Sequence, residues 1–179
     1  TQKRSLQHIN TIEILENNNY MQIDTNSRRN LELTETIRDR KKRGSLLWLL
    51  DKTKTSMGAR LLRSYVEQPL YDEKVINDRL NSVEELVKNV MLKDAITENL
   101  QKISDIERLC GKISYGNLSP KDCIALLNSL LILPDLKKTL VTFNSEIIKD
   151  IYNSIYDYSG ISNLLNSAFI ENPPFTVKD

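Results

Sequence analysis

From about residue 28 onward, apolar positions recur every three or four residues, the spacing of one buried helix face. Leu31, Thr34 and Ile37 predict a short helix that runs into the basic stretch Arg38–Arg43 and stops at Gly44. Ser45 is placed to cap a segment whose Leu46, Leu47, Trp48, Leu49 and Leu50 are apolar all round and are expected to fill the core. A helix capped by Thr55 or Ser56 turns Met57, Leu61, Leu62, Tyr65 and Val66 inward. It ends at Pro69, because the residue before a proline resists the helical region. Asp72 is a good N-cap for the stripe Val75, Ile76, Leu80, Val83, Leu86 and Val87. Leu92, Ile96, Leu100 and Ile103 form the next. Ser104 with Glu107 matches a capping box before Ile106, Leu109, Cys110 and Ile113, and Gly116-Asn117 stops that helix.

Ser119-Pro120 then supplies a cap followed by proline at the first helical position, with Asp122 in the first turn, where the helix dipole favours it. Pro134 divides this helix from a further one carrying Leu136 and Leu140. Ile147, Ile148, Ile151, Tyr152 and Ile155 give another stripe, and Ile161, Leu164, Leu165, Ala168 and Phe169 a last one, closed by Pro173-Pro174. Residues 1–25 differ. Ile12-Glu13-Ile14 and Tyr20 to Asp24 alternate apolar with polar around Asn17-Asn18-Asn19, which predicts one or two short strands. The expected fold is all-α, a multi-helix bundle with a small strand-like N-terminal element.

Composition narrows the class. The 179 residues are 40% hydrophobic and 27% charged, with five Gly and five Pro, which excludes collagen-like, disulfide-framework and disordered chains. The longest apolar run, Leu46–Leu50, is far short of the roughly 20 residues a membrane helix needs, so no membrane contact is expected. With 25 basic and 24 acidic side chains, the net charge is only +1. Any DNA contact must therefore come from a local patch or from parts of a larger protein. Two unclustered cysteines, Cys110 and Cys123, fit a reducing, cytoplasmic setting, and both fall on inferred apolar faces as small buried side chains. The chain opens on Thr and stops just after a proline pair, which reads as a piece of something longer.

Candidate chemistry is sparse. Gly111 and Gly116 have the glycine spacing of a phosphate-binding loop, but Asn117 and Leu118 stand where that motif needs Lys and a hydroxyl. The single histidine, His8, has no partner at a recognisable spacing, and no zinc pattern forms. No catalytic, cofactor-binding or metal-binding residue is assigned. The run Arg38, Arg40, Lys41, Lys42 and Arg43 is the one strong charge cluster. It is a candidate for DNA-phosphate or interdomain contact, against the plainer alternative of a solvated helix end.

Leu50, Asp51, Thr53, Thr55, Met57, Gly58, Arg60, Leu61 and Leu62 together strongly resemble the signature of the core (lever) domain of the MutS mismatch-recognition family. Arg28 to Leu33 upstream resembles it too. Downstream, Pro69-Leu70, Arg79-Leu80, Asp105 to Leu109, Ser119 to Asp122, Leu133 to Leu136 and Pro173-Pro174 follow in the family's order. Tyr65, Asn81 and Cys123 depart from the residues Trp, Asp and Leu common there. The resemblance implies that residues 1–25 are the tail of a connector segment and 26–179 the first half of a helical lever. That lever would link an ATPase to a DNA-encircling clamp. It implies no cofactor in this chain, with ATP and magnesium bound elsewhere in the parent. It also implies mismatched duplex DNA, the other domains of the same chain and a second parent copy, as a homodimer, for partners. Arg60, Arg63 and Arg79 read as surface residues or as bonds to neighbouring helix ends, against the alternative of a DNA or interdomain role, and Thr53 and Thr55 as helix-start oxygens. The competing expectation is an autonomous helical adaptor that binds another protein. A lever would leave an apolar stripe uncovered on the helices near 120–170, whereas an adaptor would show a groove on a complete bundle.

Overall fold

The computed structural model describes residues 20–170. Among them the fold is all-helical, in the order α1 Thr25–Asn30, α2 Leu46–Leu50, α3 Ser56–Glu67, α4 Glu73–Lys88, α5 Val90–Gln101, α6 Ile106–Ser114, α7 Pro120–Leu140, α8 Glu146–Ser154 and α9 Ser159–Ala168. Of the strand-like element, the described residues show one isolated antiparallel bridge, between Tyr20 and Leu70. Ile12 to Ile14, the Asn17–Asn19 turn, His8 and Pro173-Pro174 lie outside the described residues.

Side-chain caps set most of the boundaries. Thr55 accepts the N–H of Gly58, Asp72 those of Lys74 and Val75, and Ser119 and Asp122 form a reciprocal capping box at the start of α7. Ser45 caps α2 through the N–H of Trp48. The cap of α6 is Asp105, one residue later than the Ser104 box expected, because Asp105 accepts the N–H of Arg108. The freed Ser104 N–H instead donates to the Ser129 hydroxyl of α7 at 2.9 Å. Gly116, at φ +66, ends α6 in a Schellman turn: its N–H bonds the Ile113 carbonyl and the Asn117 N–H bonds that of Lys112.

Two further boundaries differ from expectation. No helix runs through Leu31, Thr34 and Ile37; α1 precedes them, capped by Asp24, and ends at Asn30. Glu32 takes φ +48, its N–H bonding Arg29 and that of Leu33 bonding Arg28. This is the same Schellman turn built without glycine, so the usual mark is missing from the sequence. The other difference is α7, which runs unbroken through Pro134. A proline inside a helix removes one N–H bond and crowds the preceding turn, at a cost of about 3 kcal/mol. Burial of Leu126, Leu127, Leu130, Leu136 and Leu140 on both sides of Pro134 outweighs that.

The long α7 is the centre, packed on α5, α6, α8 and α9, while α4 covers α5 and α8. One core holds Leu136, Leu140, Phe143 and Ile148, with Leu86, Leu92, Ile96 and Tyr152 against it. A second holds Leu109, Leu126 and Leu130, and Leu133 touches both. A third, small cluster of Leu33, Leu47 and Val66 stands apart with α2 and α3. Inside α2 only Leu47 is buried, so the expectation that the whole apolar run fills the core fails: a five-residue helix with one neighbour has too little cover.

The predicted stripes are also wider than the core. Leu61, Leu80, Val83, Val87, Ile113, Ile151, Ile161 and Leu164 are exposed, and so is Cys110, while Cys123 is buried. Small serines take several of the inward positions. Ser82, Ser129 and Ser162 are buried, each hydroxyl donating to the carbonyl four residues earlier.

One cap comes from a distant helix. Ser145 starts α8 without a side-chain cap of its own, and the Glu85 carboxylate from α4 accepts the N–H groups of Asn144 and Ser145 at 2.6 and 2.8 Å. The Asn144 N–H first, then that of Ser145, holds the Glu85 carboxyl below its ordinary value of 4.5. A carboxyl lowered on folding stabilises the fold above its unfolded value, and this contribution fades as pH falls through the folded one. Glu85→Gln should therefore destabilise the protein at neutral pH and flatten the loss of stability below about pH 4. Urea unfolding at several pH values measures this, and parallel curves for the two proteins would count against it.

Candidate interaction surface

The basic run sits in a built turn. The Thr36 N–H bonds the Lys41 carbonyl and the Arg40 N–H bonds that of Thr36, both at 3.0 Å. Glu32 accepts the Ile37 N–H at 2.7 Å. Arg40 has φ +50 and Gly44 φ +98, and a Cβ at Gly44 would lie 3.1 Å from the Thr36 methyl, so glycine is required there. Arg38, Arg40, Lys41, Lys42 and Arg43 are all exposed on this turn. They are not the last turn of a helix, and no helix dipole holds them.

Among the described residues, Lys42 alone of the five forms an ion pair, with Asp51. That lysine first, then the Thr53 hydroxyl, holds the Asp51 carboxyl down at about 2. Lys42 thus ties the basic turn to the far end of α2. Thr53 bonds Asp51 rather than capping α3. The segment that comes close to Gly58 is its own preceding loop, Thr53 and Thr55.

Two of the three arginines, Arg60 and Arg79, join helices, and Arg63 pairs within its own. Arg60 makes a forked pair with Asp105, two bonds of 2.8 Å, and a third bond to Glu107. Its guanidinium holds Asp105 down at about 2. The contact joins α3 to the start of α6, with the α6 cap residue as acceptor. Arg79 lies 3.7 Å over the Tyr65 ring, linking α4 to α3. Arg63 pairs with Glu67 within α3. Spacing alone could not reveal the Arg60 fork, since its partners lie about 45 residues away.

Gly111 lies inside α6 and Gly116 in its final turn, so the two do not form a loop at a helix start. Among the described residues, no three His, Cys, Asp or Glu side chains gather as metal ligands. No helix among them is long and apolar enough to cross a membrane. Asp122 is held at about 2, by Lys112 first and then Ser119, as part of a cap. An open groove of about 300 Å³ beside α7 and α9 is bounded by Leu131, Pro134, Tyr156 and Tyr158, with Lys137 donating to the Ile155 carbonyl at its rim.

Fold and surface together define a helical structural module whose polar side chains mostly cap and join helices. Residues 26–179 match the family model described as MutS domain III. The chain is 48% identical over all 179 residues to the DNA mismatch repair protein MutS of Clostridium novyi (strain NT), covering 20% of that protein. It is also 48% identical over its full length to the MutS of Lachnoclostridium phytofermentans, covering 19%, and 46% to that of Clostridium tetani, covering 20%. The chain belongs to the MutS family. It spans about a fifth of the length of these relatives.

Proposed function

We propose that this chain is a noncatalytic lever and core segment of a mismatch-repair protein, with residues 1–25 the tail of a connector and 26–179 the first half of the lever. The match of residues 26–179 to MutS domain III carries the reading. The parent polypeptide would bind mismatched duplex DNA as a homodimer in the cytoplasm and hydrolyse ATP with magnesium, the ATP site lying outside these residues. The exposed Leu131, Tyr156, Ile161 and Leu164 support a module that other segments cover, rather than an adaptor with a finished surface. A packed helical stack suits transmission because its interior resists compression. The basic turn would meet an anionic partner, either DNA phosphate or another domain.

The parent polypeptide is expected to bind mismatched duplex selectively and to turn over ATP, while residues 1–179 alone do neither. Filter binding and phosphate release measure both. ATP turnover or tight mismatch-selective binding by the 179 residues would overturn the assignment.

A further inference from the structure

We propose that residues 20–70 and 72–170 are two bodies that pivot at Tyr71, and that the Arg60 fork is an ionic clasp fixing one orientation of the first on the second.

The division follows the apolar clusters. Leu33, Leu47 and Val66, with Ile23 and Leu62 against them, all belong to the first body. Every member of the other two clusters lies at Leu86 or beyond. Among the described residues, no apolar cluster crosses the joint. Each body is stiff in itself because a packed interior resists deformation, but the seam between them is not an interior.

Main-chain bonds place the pivot. The Met21 N–H bonds the Pro69 carbonyl at 2.8 Å and Tyr20 pairs with Leu70, so the chain is fastened to the first body as far as residue 70. Asp72 caps α4 through the N–H groups of Lys74 and Val75 and belongs to the second. Tyr71 stands between, 74% exposed. A hinge needs only a few such residues, whose φ and ψ absorb the rotation.

Two polar contacts cross the seam at different distances from this point. The Arg79 guanidinium lies 3.7 Å over the Tyr65 ring, close to the end of α3 at Glu67. Arg60 is about 10 Å further back along the same helix, at 1.5 Å per residue. A rotation at Tyr71 therefore displaces Arg60 more than Tyr65, and the fork resists it with the longer arm. Its two parallel bonds to Asp105 also demand one relative direction of the groups. The Arg60 and Glu107 side chains are 48% and 72% exposed, so water replaces the bonds when the clasp opens. The joint thus has a defined closed position without a buried seam to break.

Pulsed electron spin resonance on the 179-residue chain tests this. Cys110 is exposed on α6 and Cys123 is buried, so one nitroxide attaches at Cys110 and the second at Leu49→Cys on α2. Cys110 with Leu164→Cys on α9 is the control pair within the second body. The 49–110 distance distribution should be narrow in the native sequence and widen several-fold in Arg60→Ala, while the 110–164 distribution stays unchanged. Salt at about 1 M, which screens exposed charges, should widen the native 49–110 distribution in the same direction. An unchanged 49–110 distribution in Arg60→Ala would overturn the proposal. Equal widening of both pairs would overturn it too, since the second body itself would then have loosened. A native distribution indifferent to salt would reject the ionic clasp.

Discussion

Replacing Phe143 with alanine should lower the unfolding free energy by about 3–5 kcal/mol, the range for removing a buried aromatic ring. The ring is 2% exposed and lies in the link between α7 and α8, among Leu136, Leu140 and Ile148. Leu86 from α4 and Leu92 and Ile96 from α5 close over that cluster. Four helices thus meet around one side chain that belongs to none of them. Truncation leaves a void that α7 cannot collapse into, because Leu133 ties it to the second core as well. A domain is commonly stable by only about 5–15 kcal/mol, so the loss would be a large fraction of the total. Urea unfolding with an unchanged slope and a much lower midpoint is the expected record. A midpoint shift worth less than about 1 kcal/mol would show that the ring does not hold these helices together.

Ser129→Ala should be the next most damaging change, by about 1–3 kcal/mol, the penalty for orphaning a buried donor. The Ser129 hydroxyl is fully buried, donates to the Ala125 carbonyl at 2.7 Å and accepts the Ser104 N–H at 2.9 Å. Alanine would fit the space but leave the Ser104 N–H without its acceptor. Amide exchange at Ser104 should accelerate strongly relative to the interior of α7. Unchanged exchange there, with an unchanged unfolding midpoint, would mean that the bond contributes nothing.

These two residues also show where sequence reasoning stops. Caps and stripes are local, so Asp72, Ser119 with Asp122, Thr55 and Gly116 were legible directly. Phe143 sits between two periodic segments and carries no period of its own. Ser129 is polar, and a hydrophobic count passes over it. Its burial follows from the close approach of the segment before α6, which no spacing within α7 encodes. The same holds for Ser82 and Ser162, which lie inward while Val83, Ile161 and Leu164 face out.

The basic run was visible as a cluster, but its setting was not. A non-glycine residue at φ +48, Glu32, ends α1 early, and with it the expected helix and its dipole disappear. Arg60 was recognised as a residue that could bond a helix end. Which end, and with which acceptors, depended on tertiary structure.

The Arg60 fork has a mechanical consequence. The small Leu33, Leu47 and Val66 cluster is separate from the two cores around α7, and the fork carries the link from α3 to α6. Charged groups parted in water are solvated at once and rejoin with little penalty. Among the described residues, the first three helices are therefore joined to the body by the Arg60 fork and the Arg79–Tyr65 contact rather than by a shared apolar core.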